Sequence, residues 1–493
     1  MKTSTLSLFF LLILFISVIS ADAQTAAKLF TVDDAADTHD TNVGDGTCAD
    51  ANGKCTLRAA IEEANSTFAQ DGVNFALPLP SVINLTLGEL TITENIYIAG
   101  PGARRLTVQR STAPDTPQFR IFRLQASNNQ LIPPTIRGMT IKNGNVQGDG
   151  GGIYIEYQSM LRVFDAAITG NTAAGSAGGI FGAGVLFLVR SLVSSNTANG
   201  LYAGGVVNIN HGTNTLIANS TLTNNTGGKG GAIYNTGNLL LVNDTISHNT
   251  ARDSGSSVMS DSIGTVNVLN TIIGMDNTAI SSLQGAFTSL GNNLITDARN
   301  STGFTNGTSG DQVSNNNTIN PLLGDLTDNG GQTDTRALLT GSPALNTGNS
   351  CIVFGGCPAP LNSGFRLFND QRRVSRFGSS VDVGAYESIN GSGSGSSAFF
   401  AFGANQPRLA GSLVVLTIPE SGEKLYRTVL PFGGYGFRNL NLDGGVFIEI
   451  RSKRAGLSSF SILDFDALRG SSLTNGEFEQ NGIKFTWSKQ SEK

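Results

Sequence analysis

One pattern of four positions, at offsets 0, 2, 7 and 10, recurs between residues 133 and 276. The first three positions are almost always aliphatic, and the last is Asn, Gly or Asp; successive last positions lie 27, 25, 29, 24 and 27 residues apart. Two adjacent glycines recur in phase with the pattern, first at Gly151-Gly152 and last at Gly230-Gly231. The copies are Leu161/Val163/Ile168/Asn171, Leu186/Leu188/Val193/Asn196, Thr215/Ile217/Leu222/Asn225, Leu239/Leu241/Ile246/Asn249, Val266/Val268/Ile273/Asp276 and, more weakly, Ile136/Ile141/Gly144.

This repeat predicts a solenoid built from strands. Aliphatic residues alternate within each copy, which is the period of a strand and not of a helix. A repeat of this length is one turn of a stacked structure, in which neighbouring turns share a core that one turn cannot bury alone. The predicted fold class is therefore all-β, a right-handed parallel β-helix. The Gly, Asn, Thr and Ser content disfavours a helical solenoid, and the register of a leucine-rich repeat is absent.

The polar position at the end of each copy predicts a sharp corner. Asn, Gly and Asp best tolerate the left-handed backbone that such a corner needs. Asn side chains stacked at corners can also form hydrogen-bonded ladders between turns. The glycine pair allows a second corner without a side-chain clash. If the solenoid spans residues 74–388, about a dozen turns would form a rod on the order of 60 Å long.

The first 23 residues predict a secretory signal peptide. Lys2 precedes an apolar run over residues 6–19, and residues 21–23 form a plausible cleavage site before Gln24. A membrane anchor is the alternative. No later stretch is long and apolar enough to span a bilayer. We therefore expect a secreted bacterial protein, extracellular or at the cell surface, with no transmembrane segment once the signal is removed.

Charge and cysteine content narrow the possible functions. The net charge is −5 and no basic block occurs, which argues against nucleic-acid binding. The close spacing of the four cysteines, in an exported chain, predicts two local disulfides, with four reduced thiols as the alternative. Three histidines, none spaced as a ligand to a cysteine, argue against a zinc site. The predicted pairs are Cys48 with Cys55 and Cys351 with Cys357.

Residues 24–73 predict an N-terminal cap for the solenoid. Thr56 is a suitable N-cap for a short amphipathic helix, which would cover the apolar end of the core and its open strand edge. The apolar face of this helix carries Leu57, Ala60, Ile61 and Ala64. The stretch from Cys55 to Asn65 resembles the N-terminal CSLREA domain of bacterial secreted proteins, although Thr56 replaces the usual Ser and Ala59 the usual Glu. The resemblance implies that right-handed β-helix repeats follow.

A second resemblance lies after the clear repeats of residues 133–276. Residues 289–388 contain Asp328-Asn329-Gly330-Gly331, Gly341-Ser342-Pro343 and Val381-Asp382-Val383-Gly384-Ala385-Tyr386-Glu387, in the order and spacing of the choice-of-anchor Q domain. The glycine and Asn-Thr markers of the repeats resemble those of polymorphic outer-membrane adhesins. These families have no established catalytic residues, so the resemblance implies none here.

The remaining chain predicts a small separate domain. Residues 389–398 are rich in Gly and Ser and predict a flexible linker. Residues 399–493 contain short strands separated by turns, which predicts a β-sandwich. The stretch Phe432-Gly433-Gly434-Tyr435-Gly436-Phe437 resembles the central motif of carboxypeptidase-regulatory-like domains.

We find no catalytic constellation in the sequence. Parallel β-helices include polysaccharide lyases and hydrolases, but fold alone does not establish an activity, and a lyase or hydrolase needs clustered carboxylates, with a base or Ca²⁺ in the lyases. The acids of the clear repeats do not recur at matching positions, which predicts solvated loop groups: Asp149, Glu156, Asp165, Asp244, Asp253, Asp261 and Asp276. No cofactor is expected; Ca²⁺ bound by Asp253, Asp261 and Asp276 is the alternative.

Two further groups of side chains are candidates for function. Tyr154, Tyr157, Tyr202 and Tyr234 are possible sites of glycan contact, because aromatic rings stack on sugars; partly buried surface aromatics are the alternative. The charged residues Asp370, Arg372, Asp382 and Glu387 predict a structural ion-pair network that closes the last turn, with a functional site as the alternative.

The hypothesis that follows is a non-catalytic scaffold for adhesion or glycan contact. A repetitive face provides many weak contacts, and the partner would be a polysaccharide or a surface protein. One alternative is a polysaccharide lyase or glycoside hydrolase with an unfamiliar site, which clustered acids and a base in one groove would favour. Another is a purely structural envelope component. The sequence does not indicate the oligomeric state.

Overall fold

The computed structural model describes residues 27–125, 133–209, 214–276, 279–361, 366–374, 376 and 380–388, together with individual strands between residues 400 and 489. The predicted signal peptide at 1–23 and the predicted linker at 389–398 lie outside the described residues. From Leu29 to Val313 the described chain is an all-β parallel solenoid with almost no helix, as the repeat predicts.

Four parallel sheets run along the solenoid, and a complete turn crosses sheets 1, 2, 3 and 4 in that order. Sheet 1 contains Leu29–Val32, Asp71–Phe75, Ile96–Ala99, Thr135–Arg137, Met160–Phe164, Val185–Val189, Asn214–Ala218, Asn238–Val242, Thr265–Leu269 and Thr288–Gly291. Sheet 2 contains Ser81–Leu85, Leu106–Arg110, Thr140–Lys142, Ala167–Thr169, Leu192–Ser194, Thr221–Thr223, Thr245–Ser247, Ile272–Gly274, Leu294–Ile295 and Gln312–Val313. Sheet 3 contains Asn145–Val146, Thr172–Ala173, Thr197–Ala198, Thr226–Lys229 and Thr250–Ser254. Sheet 4 contains Leu90–Ile92, Phe122–Leu124, Ile153–Ile155, Ile180–Gly182, Val206–Asn208, Ile233–Asn235, Val258–Ser260, Leu283–Ala286 and Ser301–Thr302.

The aliphatic positions of the repeat form the core. In sheet 1, Val163 pairs with Leu188, and Leu188 pairs with Ile217 on the next turn. The stack continues through Leu241 and Val268, and all five side chains are buried in one cluster. Equivalent positions therefore lie directly above one another, so that each turn buries its apolar side chains against its neighbours.

The predicted asparagine ladder is confirmed. The backbone N–H of Asn196 donates to Oδ1 of Asn225 at 3.1 Å, and that of Asn225 donates to Oδ1 of Asn249 at 3.0 Å. The ladder begins at Asn171 and ends at Asp276, whose Oδ1 accepts from the N–H of Asn249 at 2.8 Å. These side chains satisfy buried backbone groups at a corner where the strand ladder is interrupted.

The prediction that these ladder residues adopt the left-handed backbone conformation is wrong. The residue before each one adopts the left-handed conformation, with φ of 54° at Ser195 and 57° at both Asn224 and His248. That residue turns the chain, and the following side chain then points inward. The polar residue is therefore needed for its hydrogen bonds to the neighbouring turn, not for its tolerance of a positive φ.

A second buried ladder lies between sheets 1 and 2 and was not predicted. The N–H of Ser220 donates to Oδ1 of Asp244 at 2.8 Å, and the N–H of Asp244 donates to Oγ1 of Thr271 at 3.3 Å. Ser191 precedes these residues in the ladder and Asn293 follows them. Because Ser, Asp, Thr and Asn all serve at this position, no single residue type repeats, and the pattern is hidden in the sequence.

The glycine pairs lie where two chain segments approach closely, as predicted. A Cβ atom at Gly204 would stand 2.2 Å from the backbone oxygen of Thr226. A Cβ atom at Gly205 would stand 2.5 Å from the backbone oxygen of Ala232. Both distances are too short for any larger residue without movement of the backbone.

The predicted amphipathic helix is present as Leu57–Asn65. The Thr56 hydroxyl accepts the N–H of Ala59 at 3.2 Å, which satisfies one of the free donors of the first turn. The predicted apolar face is buried in the same cluster as the solenoid core, against strands of sheets 1 and 4.

Among the described residues no parallel strand follows Val313, so the solenoid has fewer turns than the predicted dozen. Parallel pairing begins at Leu29 and ends at Val313, and the longest sheets have ten strands. The described residues between 321 and 388, which are 321–361, 366–374, 376 and 380–388, lie along the outside of sheets 1 and 2. We call them the return segment. This segment holds an antiparallel pair, Leu323–Thr327 with Thr335–Leu338, and a short helix, Cys351–Phe354; a 3-10 turn, Thr308–Gly310, precedes it.

The return segment contacts many different turns. Its apolar residues Ile352 and Val381 pack on outward residues of sheet 1, including Ala218 and Val242. Its polar contacts are Asp334 with Arg104, Arg373 with Asp165, Gln371 with Thr221, Ala385 with Thr245, Asn349 with Asn270 and Thr347 with Asn292. One segment thereby ties together turns that are far apart along the solenoid.

Both predicted disulfide pairings are confirmed. Cys48 and Cys55 are joined in the loop before the helix, and Cys351 and Cys357 are joined in the return segment. No cysteine is free.

The strands described after residue 399 form two antiparallel sheets. One sheet contains Phe400–Gly403, Ile483–Lys489 and Asn475–Gln480, and the other contains Glu423–Thr428, Leu413–Ile418, Val446–Arg451 and Ser459–Leu463. The stretch at residues 432–437, which carries the resemblance to a carboxypeptidase-regulatory-like domain, lies outside the described residues.

Candidate functional site

The outer face of sheet 4 carries a line of aromatic and apolar side chains, one from each turn. The middle residue of each strand faces outward between two residues that face the core. Paired across neighbouring strands, these middle residues are Arg123, Tyr154, Phe181, Val207, Tyr234, Met259 and Gln284. From Tyr154 to Met259 they belong to an apolar cluster separate from the core. Arg123 and Gln284 lie at the two polar ends of this line. We call the whole surface, from Arg123 to Gln284, the sheet 4 face.

The ring of Tyr154 is partly buried between its neighbours on the sheet 4 face. It stacks on Phe181 with a centroid distance of 5.1 Å and an interplanar angle of 4°. The guanidinium of Arg120 lies 4.8 Å from the centroid of the Tyr154 ring. Because the two rings stack along the solenoid axis, the Phe181 ring covers the face of the Tyr154 ring that points towards it.

Tyr202 and Tyr234 form a second stack, with ring centroids 3.9 Å apart. Tyr234 is only 4% exposed, and its hydroxyl donates to Oδ2 of Asp261 at 2.7 Å. Burial and this hydrogen bond raise the pKa of Tyr234, and the same hydrogen bond lowers the pKa of Asp261. Tyr234 therefore supports Tyr202, which is half-buried, and offers no free ring of its own.

Tyr157 is the most accessible of the four candidate tyrosines. It lies in the turn between sheets 4 and 1 and is 69% exposed. The sequence groups the four tyrosines as one set of possible glycan contacts. The structure instead separates them into an exposed ring, Tyr157, two partly buried rings, Tyr154 and Tyr202, and a buried ring, Tyr234.

A charged network borders the aromatic line at the end nearer the N-terminus. Nη1 of Arg120 donates to Oε2 of Glu89 at 2.7 Å, and Nε of Arg123 donates to Oε1 of Glu156 at 2.7 Å. Nη1 of Arg123 lies 3.4 Å from Oε1 of Glu89, which joins the two pairs into one network. We call Glu89, Arg120, Arg123 and Glu156 the Arg-Glu cluster.

The Arg-Glu cluster brings together residues from three turns of the solenoid. Glu89 precedes the sheet 4 strand Leu90–Ile92, Arg123 lies in the next strand, and Glu156 follows the strand after that. Its side chains keep between 14% and 36% of their surface exposed. Only Glu156 was a candidate from the sequence, because the other three residues lie in the irregular early turns where no repeat could align them.

Three acids predicted to be solvated are buried instead. Asp165 is paired with Arg137, Arg190 and Arg373. Burial would raise the pKa of Asp165, but these three guanidiniums hold it well below its usual range. Asp244 and Asp276 lie in the two inner ladders, where burial raises the pKa of Asp244 well above normal and that of Asp276 to about 7. All three acids are structural.

The three candidate calcium ligands lie on different parts of the solenoid. Asp276 is buried against Ser256 and Ser257, Asp261 lies on the sheet 4 face, and Asp253 is exposed on a strand of sheet 3. Across the part of the chain that the structure describes, no group of three or more His, Cys, Asp and Glu side chains is arranged to hold a metal ion.

The predicted ion-pair network around Asp370 is confirmed as a structural feature, but it does not close the last turn. Nη2 of Arg372 lies 2.7 Å from Oδ2 of Asp370, and Nη1 of Arg376 lies 2.7 Å from Oε2 of Glu387. Nη2 of Arg376 also donates to Oδ1 of Asn219 at 3.1 Å. The network therefore anchors the return segment to the middle of the solenoid, because that segment runs back along its side.

No helix within the described ranges has the length and apolar content needed to cross a bilayer.

Comparison with known proteins leaves the proposed family resemblances as predictions. No protein-family model and no curated protein sequence matches this chain.

Proposed function

We propose that this protein is an exported scaffold that contacts glycans through the sheet 4 face. The observation that carries the proposal is that partly exposed aromatic and charged side chains from neighbouring turns lie on one face, between and beside buried members of the same line. Adjacent turns lie about 4.8 Å apart, which is close to the length of one sugar unit, so a linear polysaccharide could contact several turns at once. Such contacts are individually weak but act together along a chain.

The rigidity of the face supports binding. Hydrogen-bonded strands hold Arg123 and Tyr154, and Arg120 also donates to the backbone oxygen of Asp149 at 3.3 Å. Side chains held in place in this way lose little conformational freedom when a ligand binds, which favours affinity.

We also propose that the chain is secreted and acts outside the cell or at its surface. The two disulfides are typical of an oxidising compartment, and the predicted signal peptide at residues 1–23 would direct export.

The proposal extends to the architecture. The solenoid is right-handed, since parallel crossovers almost always have that hand; the helix Leu57–Asn65 caps it; and residues 399–493 form a β-sandwich.

A polysaccharide lyase or glycoside hydrolase is the second candidate. The observation that favours it is the Arg-Glu cluster, which places two carboxylates and two guanidiniums together on one exposed face. Glycoside hydrolases use two carboxylates, and a lyase needs a base that removes a proton. In this chain Glu89 and Glu156 each accept hydrogen bonds from an arginine, and such bonds between charged groups are strong.

The test measures binding and product release together. The purified chain is incubated with insoluble and soluble polysaccharides, with Ca²⁺ or with a chelator, and retained protein and released oligosaccharides are quantified. We expect retention without products. Products that disappear in the Glu156→Gln variant would establish an enzyme in place of a scaffold. Neither retention nor products would overturn glycan contact and favour a structural envelope component or a protein partner.

A further inference from the structure

We infer that the Arg-Glu cluster binds neutral sugar units, through adjacent hydroxyl groups, in preference to uronic acids. This inference rests on the proposed glycan contact and specifies its site and chemical class. The cluster is the part of the sheet 4 face where charged groups remain accessible, since the aromatic line beyond it is largely buried.

The cluster keeps hydrogen-bonding groups free for a ligand. Both Nε and Nη2 of Arg123 donate to the same oxygen, Oε1 of Glu156. Within the described residues, Oε2 of Glu156 accepts no hydrogen bond. Arg123 uses three of its N–H groups on Glu89 and Glu156, and a guanidinium has about five. Unused donors and an unused acceptor therefore lie on neighbouring side chains, of which Arg123 is 36% and Glu156 30% exposed.

This alternation of donors and acceptors suits sugar hydroxyls. Each hydroxyl both donates and accepts, so two neighbouring hydroxyls can bridge the free oxygen of Glu156 and a free N–H of Arg123. The exposed ring of Tyr157 follows Glu156 directly in the chain and offers an apolar surface for the C–H groups of a sugar. Hydrogen bonds to ionised groups are stronger than those between neutral groups.

The charge balance disfavours uronic acids. The two arginines are matched by two glutamates. Asp149, whose backbone oxygen accepts from Arg120, brings a further carboxylate, which accepts the N–H of Ser176 at 2.6 Å. A uronate that binds the unused N–H groups of Arg123 would lie beside the carboxylates of Glu89 and Glu156, and repulsion between like charges disfavours this position.

The test compares neutral and acidic polysaccharides. Binding of the full chain to mixed-linkage β-glucan, galactomannan and dextran, and to polygalacturonate and alginate, is measured by affinity electrophoresis and titration calorimetry. We expect binding to at least one neutral polymer and none to the uronate polymers. Glu156→Gln and Tyr157→Ala should each weaken neutral binding roughly tenfold, the effect of losing one strong contact. Glu89→Gln combined with Glu156→Gln should create binding to polygalacturonate, which a purely structural role would not do.

Asp328→Asn is the matched control. Asp328 lies in the return segment, and the substitution removes its exposed ion pair with Arg104 and should leave binding unchanged. Uronate binding by the unmodified chain would overturn this inference and leave glycan contact intact. Neutral binding that is unchanged in both Glu156→Gln and Tyr157→Ala would overturn the site. Failure to bind any of the five polymers would overturn this inference; retention on the insoluble polysaccharides of the broader panel would then show whether the proposed function survives. Circular dichroism of each variant separates these outcomes from misfolding.

Discussion

At the residue scale, the solenoid depends on polar side chains that face inward at its corners. Asn225 accepts from the N–H of Asn196, and its Nδ2 donates to the backbone oxygen of Val193 at 2.9 Å and to Oδ1 of Asn249 at 3.1 Å. A single side chain thus satisfies groups on two adjacent turns. Buried backbone groups without partners are costly, so these residues contribute to stability although they are not apolar.

We expect Asn225→Ala to destabilise the protein by roughly 2–4 kcal/mol. The substitution removes four buried hydrogen bonds and leaves partners on neighbouring turns unsatisfied. Chemical denaturation monitored by circular dichroism measures the loss. Asn52→Ala, at an exposed loop position, is the control and should change stability by less than about 0.5 kcal/mol. Equal effects of the two substitutions would contradict the role of the ladder.

Asp276 provides a test that depends on pH. Burial raises its pKa from 3.8 to about 7 in the folded protein, with its hydrogen bonds to Ser257 and Asn249 opposing the shift. A carboxyl with a raised folded pKa binds its proton more tightly in the folded state. Its stabilising effect is therefore complete below about pH 4 and is lost as the pH rises to about 7.

Asp276→Asn should accordingly stabilise the protein above pH 7, by on the order of 2 kcal/mol, and have little effect near pH 4. Asn occupies the equivalent ladder position in the four copies that precede Asp276, so the amide fits the site. The measurement is the free energy of unfolding of both proteins between pH 4 and 8. A difference that stays constant across this range would show that Asp276 does not titrate there.

At the element scale, the return segment is attached to the solenoid through its buried ion pairs. Arg376 is fully buried and contacts Glu387, the backbone oxygens of Asp382 and Gly384, and Asn219 of the solenoid. Burial raises the pKa of Glu387 to about 7, and the charge of Arg376 opposes this rise. The positive charge of Arg376 is therefore needed to balance the negative charge of the buried acids.

We expect Arg376→Met to cost about 3–5 kcal/mol, because it leaves a buried carboxylate unpaired. Adding Glu387→Gln should recover part of the loss, since the uncompensated charge is then removed. Arg104→Met, which removes exposed pairs with Asp328 and Asp334, is the control, with an expected cost of about 0–1 kcal/mol. Thermal unfolding of the four proteins tests this order. A double variant no more stable than Arg376→Met would argue against the charge explanation.

At the scale of the whole molecule, the return segment changes how the solenoid behaves. A simple solenoid is stabilised only by contacts between neighbouring turns. Here the return segment connects turns from Arg104 to Asn292 and covers an apolar strip on sheet 1. This strip consists of Val189, Ala218, Val242 and Leu269.

A chain that ends at residue 320 should therefore aggregate, because the strip on sheet 1 becomes exposed to water. A chain that ends at residue 388 keeps the return segment and should remain folded and monodisperse. Light scattering and binding of a hydrophobic dye distinguish the two proteins. If the shorter chain were as soluble and stable as the longer one, the return segment would not be required to cover the solenoid.

The sequence by itself determined the features that repeat or are local. The alternating aliphatic positions predicted the parallel solenoid and its core, because stacking places the same position of every turn in the same environment. The helix after Thr56, the two disulfides and the asparagine ladder were also predictable, since each depends on nearby residues or on a regular spacing.

Only the tertiary structure decided what depends on contacts without a period. The path of the return segment, the burial of Asp165 beside three arginines and the mixed inner ladder all join residues whose spacing or type varies. The Arg-Glu cluster is formed from three early turns of irregular length, so no sequence pattern aligned Glu89, Arg123 and Glu156. A repeat predicts which residues stack, but it does not predict which unrelated side chains meet on the outer surface.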